Sequence, residues 1–88
     1  MTELTTYTKR VGALQLTVEP FSYAGHGAVE GSWVARVDVD VPAYDTTANI
    51  WTLRWRRTDS AVARARAINV GHARLIDAII ASQTKQGE

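Results

Sequence analysis

Ser32-Trp33-Val34-Ala35-Arg36-Val37-Asp38-Val39-Asp40-Val41, followed after an eight-residue connection by Ile50-Trp51-Thr52-Leu53-Arg54-Trp55-Arg56-Arg57, decides the fold. Trp33, Ala35, Val37, Val39 and Val41 alternate with Val34, Arg36, Asp38 and Asp40. Trp51, Leu53 and Trp55 alternate with Thr52, Arg54 and Arg56. Period two is the mark of a strand with one dry and one wet face, and two such runs in succession read as an antiparallel pair. The pairing gathers all three tryptophans on one face and the Asp and Arg side chains on the other.

Outward from this pair, Leu14, Leu16 and Val18 alternate with Gln15, Thr17 and Glu19. This is an earlier strand, closed by Pro20, which cannot donate to a ladder. Residues 1–8 belong to a flexible arm or an edge strand, since Thr and Tyr permit either. Residues 20–32 (PFSYAGHGAVEGS) are the longest irregular stretch. Phe21 and Tyr23 there either fold back on a core edge or form an interaction loop. Pro42 to Asn49 carries turn chemistry.

Thr58-Asp59-Ser60 offers a helix N-cap, after which the period lengthens to 3.6. Ala61, Ala65, Ile68, His72, Leu75, Ile76 and Ile79 fall on one predicted face. Arg66, Val70, Ala73, Arg74 and Asp77 fall on the far side. One helix from about Ser60 to about Gln83 is the simplest reading. Glycine inside a helix costs about 1 kcal/mol relative to alanine, so a break into two short helices at Asn69–Gly71 is the alternative. Thr84 to Glu88 is a frayed tail. The expected architecture is α+β: a three- or four-stranded antiparallel sheet in β-β-β-α order, with one C-terminal helix packed on the tryptophan face. A lone small sheet is marginal in water, so the helix must cover it.

The 88 residues make one domain, 1–88, with a single small core. Ten basic residues face nine acidic ones, for a net charge of +1. Residues 1–50 hold three basic against six acidic side chains, net −3, and residues 51–88 hold seven against three, net +4. Eight of the ten basic residues are arginine, suited to planar recognition of carboxylate or phosphate. With no cysteine there is neither a disulfide framework nor a thiolate zinc site. Met1 to Thr8 is polar and carries no signal pattern, and no apolar run approaches the roughly 20 residues that span a bilayer. The expectation is a cytoplasmic protein without a membrane partner.

Asp38, Asp40, Arg54 and Arg56 share the wet face of the strand pair, where cross-strand ion pairs help to set register. With no histidine or third carboxylate beside them in sequence, the two aspartates make neither a metal site nor an acid–base pair. Arg54, Arg56, Arg57, Arg64, Arg66 and Arg74 form either a solvated basic surface or a phosphate-neutralising patch. No helix-turn-helix, zinc-finger or RNP signature accompanies them. His72 falls within the apolar helical face and reads as a satisfied, partly buried histidine; only His26 could join it as a ligand. Ser22, Ser32, Ser60 and Ser82 lack a Gly-x-Ser-x-Gly setting, and Gly25-His26-Gly27 precedes no helix signal. No catalytic residue, metal or cofactor is therefore assigned. The contact candidates are Tyr23, His26, Tyr44, Arg54, Arg56 and Arg66.

In size, lack of cysteine and strand–strand–strand–helix layout, the chain resembles small phage or mobile-element proteins that inhibit bacterial defence, notably anti-CRISPR proteins. The resemblance spans the whole chain and is one of layout, with no shared motif to carry a functional residue across. It implies a non-catalytic inhibitor that occupies a subunit surface of a CRISPR effector in the host bacterial cytoplasm. Many such proteins are strongly acidic DNA mimics. This chain departs from them at +1, which favours a mixed charged and aromatic contact surface. The alternative is a small nucleic-acid-binding module using the C-terminal arginine cluster. Monomer and homodimer both stay open, the latter through the polar sheet face or an edge strand.

Overall fold

A strand that alternates apolar and polar residues buries one face only beside other strands and beneath a covering layer. The computed structural model describes residues 5–20, 32–55 and 59–86 and shows that solution. The strands are β1 (Tyr7–Val11), β2 (Leu14–Pro20), β3 (Trp33–Val41) and β4 (Thr46–Trp55), followed by a helix α1 (Ser60–Gln86). The four strands form one antiparallel sheet in the order β1-β2-β3-β4. The α+β layout is as expected, and of the three or four strands allowed for, the sheet has four. Tyr23, His26 and Arg56, with the rest of the irregular stretch between Pro20 and Ser32, lie outside the described residues.

Two tight connections set the register. Val11 pairs with Leu14, so Gly12-Ala13 is a two-residue hairpin loop. Gly12 has φ +60°, the left-handed conformation that a primed turn requires at its first central position. Between β3 and β4 the chain reverses through one 3-10 turn (Pro42–Tyr44) and Asp45, whose φ of 51° and ψ of 47° are left-handed. This corrects the eight-residue turn expected from Pro42 to Asn49. Proline presets the turn and aspartate tolerates the left-handed position, so four residues complete the reversal. The β-competent Thr46 and Thr47 then pair with Val41 and Asp40, and β4 begins four residues earlier than expected.

Further along, Val37 opposes Trp51 while its neighbour Asp38 opposes Asn49. Ile50 is thus the extra residue of a bulge. It lines the cleft beneath Ala78 and Ile79, on the same side of the sheet as Trp51. Without this extra residue, one of the two apolar side chains would turn to the polar face.

The core is Leu14, Leu16 and Val18 of β2, Trp33, Ala35 and Val37 of β3, and Ala63, Ala67 and Leu75 of α1. The helix packs mainly on β2 and β3 and less on β4. Only Trp33 is fully buried; Trp51 and Trp55 on β4 are half-buried. The buried row of α1 is Ala63, Ala67, Gly71 and Leu75, each four residues after the last. The expected face is therefore rotated, and Ala61, Ala65 and Ile76 are exposed. Small residues won the contact because they let the helix axis approach the sheet. A Cβ on Gly71 would stand 2.5 Å from Leu16 Cδ1, which explains why the helix runs unbroken through Asn69–Gly71. Glycine here is the close-approach residue rather than a hinge.

Asp59 caps α1. Its Oδ1 accepts from the backbone N–H of Ala61 at 2.9 Å and of Val62 at 3.3 Å, and its carbonyl accepts from the N–H of Ala63. Asp59→Ala is expected to cost about 1 kcal/mol. In a domain of this size that lowers the melting temperature by about 4–8 °C, readable by thermal unfolding followed by circular dichroism.

Candidate functional site

The polar face of the sheet carries two hydrogen-bonded groups. Arg36 donates to Glu19 Oε1 at 2.6 Å and to Asp38 Oδ2 at 3.3 Å. Asn49 donates to Asp38 Oδ1 at 3.1 Å, and Thr52 donates to Asn49 Oδ1 at 3.1 Å. At the other edge Arg10 pairs with Asp40 and donates to Gln15 Oε1, and Gln15 donates on to Thr17. The two aspartates thus take Arg36 and Arg10 as ion-pair partners. Arg54, expected to serve that role, sits opposite Val34 in the register.

Partial burial of the Arg36 guanidinium opposes its charge, but the hydrogen bond and charge of Glu19 and the charge of Asp38 outweigh it and raise its pKa. A raised base stabilises the fold at every pH below the ordinary guanidinium range and loses that contribution only above it. The network is accordingly indifferent to deprotonation of Arg36 at physiological pH.

His72 is half-buried and its Nε2 lies 2.6 Å from the Tyr7 hydroxyl. This is the satisfied, partly buried histidine expected, and it ties β1 to the helix. Among the described residues no group of three or more His, Cys, Asp or Glu could hold a metal ion. No helix among them is long and apolar enough to cross a membrane.

The arginines do not converge. Arg64 packs over the Trp33 ring at 5.8 Å and donates to the Thr5 carbonyl at 2.9 Å, on the β1 side of the helix. Arg74 packs over Trp51 at 5.8 Å, on the β4 side. Arg54 faces the opposite side of the sheet, and Arg66 is exposed on the outer surface of α1. Among the described arginines no single stripe matches a phosphate backbone.

What the fold leaves open is β4. Among the described residues it is an edge strand, ten residues long and paired with β3 alone, and Arg54 is its single ionisable side chain. Because α1 sits over β2 and β3, the helix-side surface of β4 is under-covered. Ile50, beside the half-buried Trp51, is 51% exposed, and Leu53, between Trp51 and the half-buried Trp55, is 44% exposed. Tyr44, 79% exposed, stands at the turn that begins the strand. Of the expected contact residues, the described ones separate: Tyr44 and Arg54 lie at opposite ends of β4, roughly 25 Å apart at about 3.3 Å per residue, and Arg66 is on the helix. Leu53 was missed because alternation marks it as facing the helix side without saying how far the helix reaches, and Ile50 because alternation alone puts it on the polar face, from which the bulge removes it.

A cleft of about 450 Å³ adjoins this edge, between the Gly12-Ala13 turn, Ile50 and the end of α1 at Ala78, Ile79 and Ser82. Of the described side chains that line it none is titratable and most are apolar, so they offer shape and apolar surface. Comparison with models of protein families, with curated proteins and with solved structures finds no match to this chain.

Proposed function

We propose that the chain is a non-catalytic protein-binding domain that engages its partner along β4. The observation that carries this reading is the asymmetry of the two sheet edges. The β1 edge is five residues long and guarded by Lys9 and Arg10, the usual protection against unwanted pairing. The β4 edge is twice that length and nearly uncharged, with Ile50 and Leu53 beside two half-buried tryptophans. A partner strand added there gains main-chain hydrogen bonds, and its side chains meet the Trp51–Leu53–Trp55 surface. Tyr44 and Arg54 mark the two ends of the contact. The layout resemblance names the partner class to try first, a subunit of a CRISPR effector, with inhibition in the bacterial cytoplasm as the consequence.

Pull-down against assembled effector complexes, paired with a plasmid-interference assay, tests the reading. Leu53→Lys places a charge in the middle of the Trp51–Trp55 surface. It is expected to weaken capture at least tenfold while the already exposed position leaves stability within about 0.5 kcal/mol of wild type. Failure to capture any effector, with interference unchanged, rejects the inhibitor. Capture that survives Leu53→Lys moves the contact off β4.

A further inference from the structure

The outward face of α1 carries an apolar strip that the sheet does not use. Val62, Ile76 and Ile80 each leave about half of their surface exposed, and Ala65 and Ala73 are exposed beside them. At 100° per residue these fall opposite the buried row of Ala63, Ala67 and Gly71. We infer that this strip is a self-association surface, on which a second copy of the chain packs its own α1 antiparallel about a two-fold axis level with Gly71.

The choice of occupant rests on the order of side chains along the strip. An antiparallel two-fold sets each residue against the one equally far beyond Gly71 on the second copy. Val62 then meets Ile80, Ala65 comes within one residue of Ile76 on the same flank, and Asn69 meets Ala73. Apolar side chains meet apolar ones at both ends, and the small Ala73 gives the helices room to approach at the middle. The single polar residue of the strip, Asn69, sits near the axis, where a polar group fixes register.

Charge makes the same selection. Arg66 and Asp77 lie on one flank of the strip, about 20° apart around the helix. In an antiparallel pair each flank meets the same flank of the other helix. Arg66 therefore comes level with the second copy's Asp77, and symmetry repeats the pair. A parallel arrangement brings opposite flanks together and leaves both charges without a complement. Within one chain Asp77 is only 3.9 Å from Arg74, an exposed i,i+3 contact of small worth, so its carboxylate stays available. This interface leaves β4 clear, and the pair presents two copies of the edge discussed above.

Sedimentation equilibrium of the full chain over a concentration series tests the inference. A reversible dimer is expected, monomeric in Ile76→Glu/Ile80→Glu with helix content unchanged by circular dichroism, since both positions are exposed. Arg66→Asp and Asp77→Arg are each expected to weaken association severalfold, and the double reversal to restore it. A chain that stays monomeric at every concentration overturns the inference. So does a dimer indifferent to Ile76 and Ile80, a double reversal that fails to restore pairing, or a dimer broken by Leu53→Lys instead, which would place the second copy on β4.

Discussion

Gly71→Leu is expected to leave the chain without its native fold at 25 °C. The Cβ alone would stand 2.5, 3.1 and 3.4 Å from Cδ1, Cδ2 and Cγ of Leu16. Leu16 is fully buried and cannot swing aside without displacing its neighbours in the core. Overpacking of this kind costs about 1–3 kcal/mol for a small excess, and leucine adds three more carbons to that Cβ. A domain of this size holds only about 4–13 kcal/mol in total. Gly71→Ala is the milder case, in which two terms oppose each other. The helix gains about 1 kcal/mol in propensity, while the methyl meets Leu16 at a cost of about 1–3 kcal/mol. A net loss of about 0–2 kcal/mol is expected in urea unfolding. Leu16→Ala alone costs about 2–5 kcal/mol by emptying the same space. Combined, the two changes should be less damaging than their sum, because the new methyl occupies part of the vacated volume. A coupling of about 0.5–3 kcal/mol in that direction is the signature of direct contact. Strict additivity, or a stable Gly71→Leu chain, would show that the helix does not approach β2 this closely.

The same glycine shows where reading from sequence stops. Strand alternation is a local property, so β2, β3 and the second half of β4 could be read from Leu14–Pro20, Trp33–Val41 and Trp51–Trp55 directly. A cap within Thr58-Asp59-Ser60 and His72 as a half-buried, satisfied side chain were legible for the same reason, and the structure selects Asp59. The phase of α1 was not. Counting hydrophobicity favoured Ile76 over Ala63 and Gly71, whereas the sheet selected the small residues that permit close approach. That preference depends on Leu16, 55 residues earlier in the chain. The bulge at Ile50 was likewise hidden, because it is a relation between two strands and has no turn residue to announce it.

The candidate site was legible in part. Tyr44 was found from turn chemistry, and it is exposed at one end of β4. Arg54 was found from alternation, yet its expected aspartate partners are held by Arg36 and Arg10. The best-supported surface, Ile50 and Leu53 on an under-covered edge, depends on which two strands the helix covers. Nothing in the local pattern of β4 specifies that, and only the packing of α1 on β2 and β3 makes those side chains available.

Trp33→Ala is expected to cost about 3–5 kcal/mol, the range for emptying a buried tryptophan site. Trp33 is 2% exposed at the start of an interior strand, paired with Pro20 on one side and Trp55 on the other. Its ring also supports the Arg64 guanidinium at 5.8 Å, so truncation removes a cation–π contact together with the apolar burial. Trp51→Ala and Trp55→Ala act on half-buried rings of an edge strand, where less surface leaves water on folding, and about half that cost is expected for each. Binding should rank the three in the opposite order. Tryptophan is enriched among residues that dominate interface energies, and Trp51 and Trp55 flank Leu53 on the proposed contact strand. At a temperature where all three variants remain folded, capture of the partner should therefore fall most for Trp51→Ala and Trp55→Ala. Trp33→Ala should retain affinity once its lower folded fraction is taken into account. Denaturant midpoints set beside binding isotherms give both orders from the same samples. If a single order held for stability and binding alike, the loss of binding would follow from unfolding alone, and β4 would have no separate role in recognition.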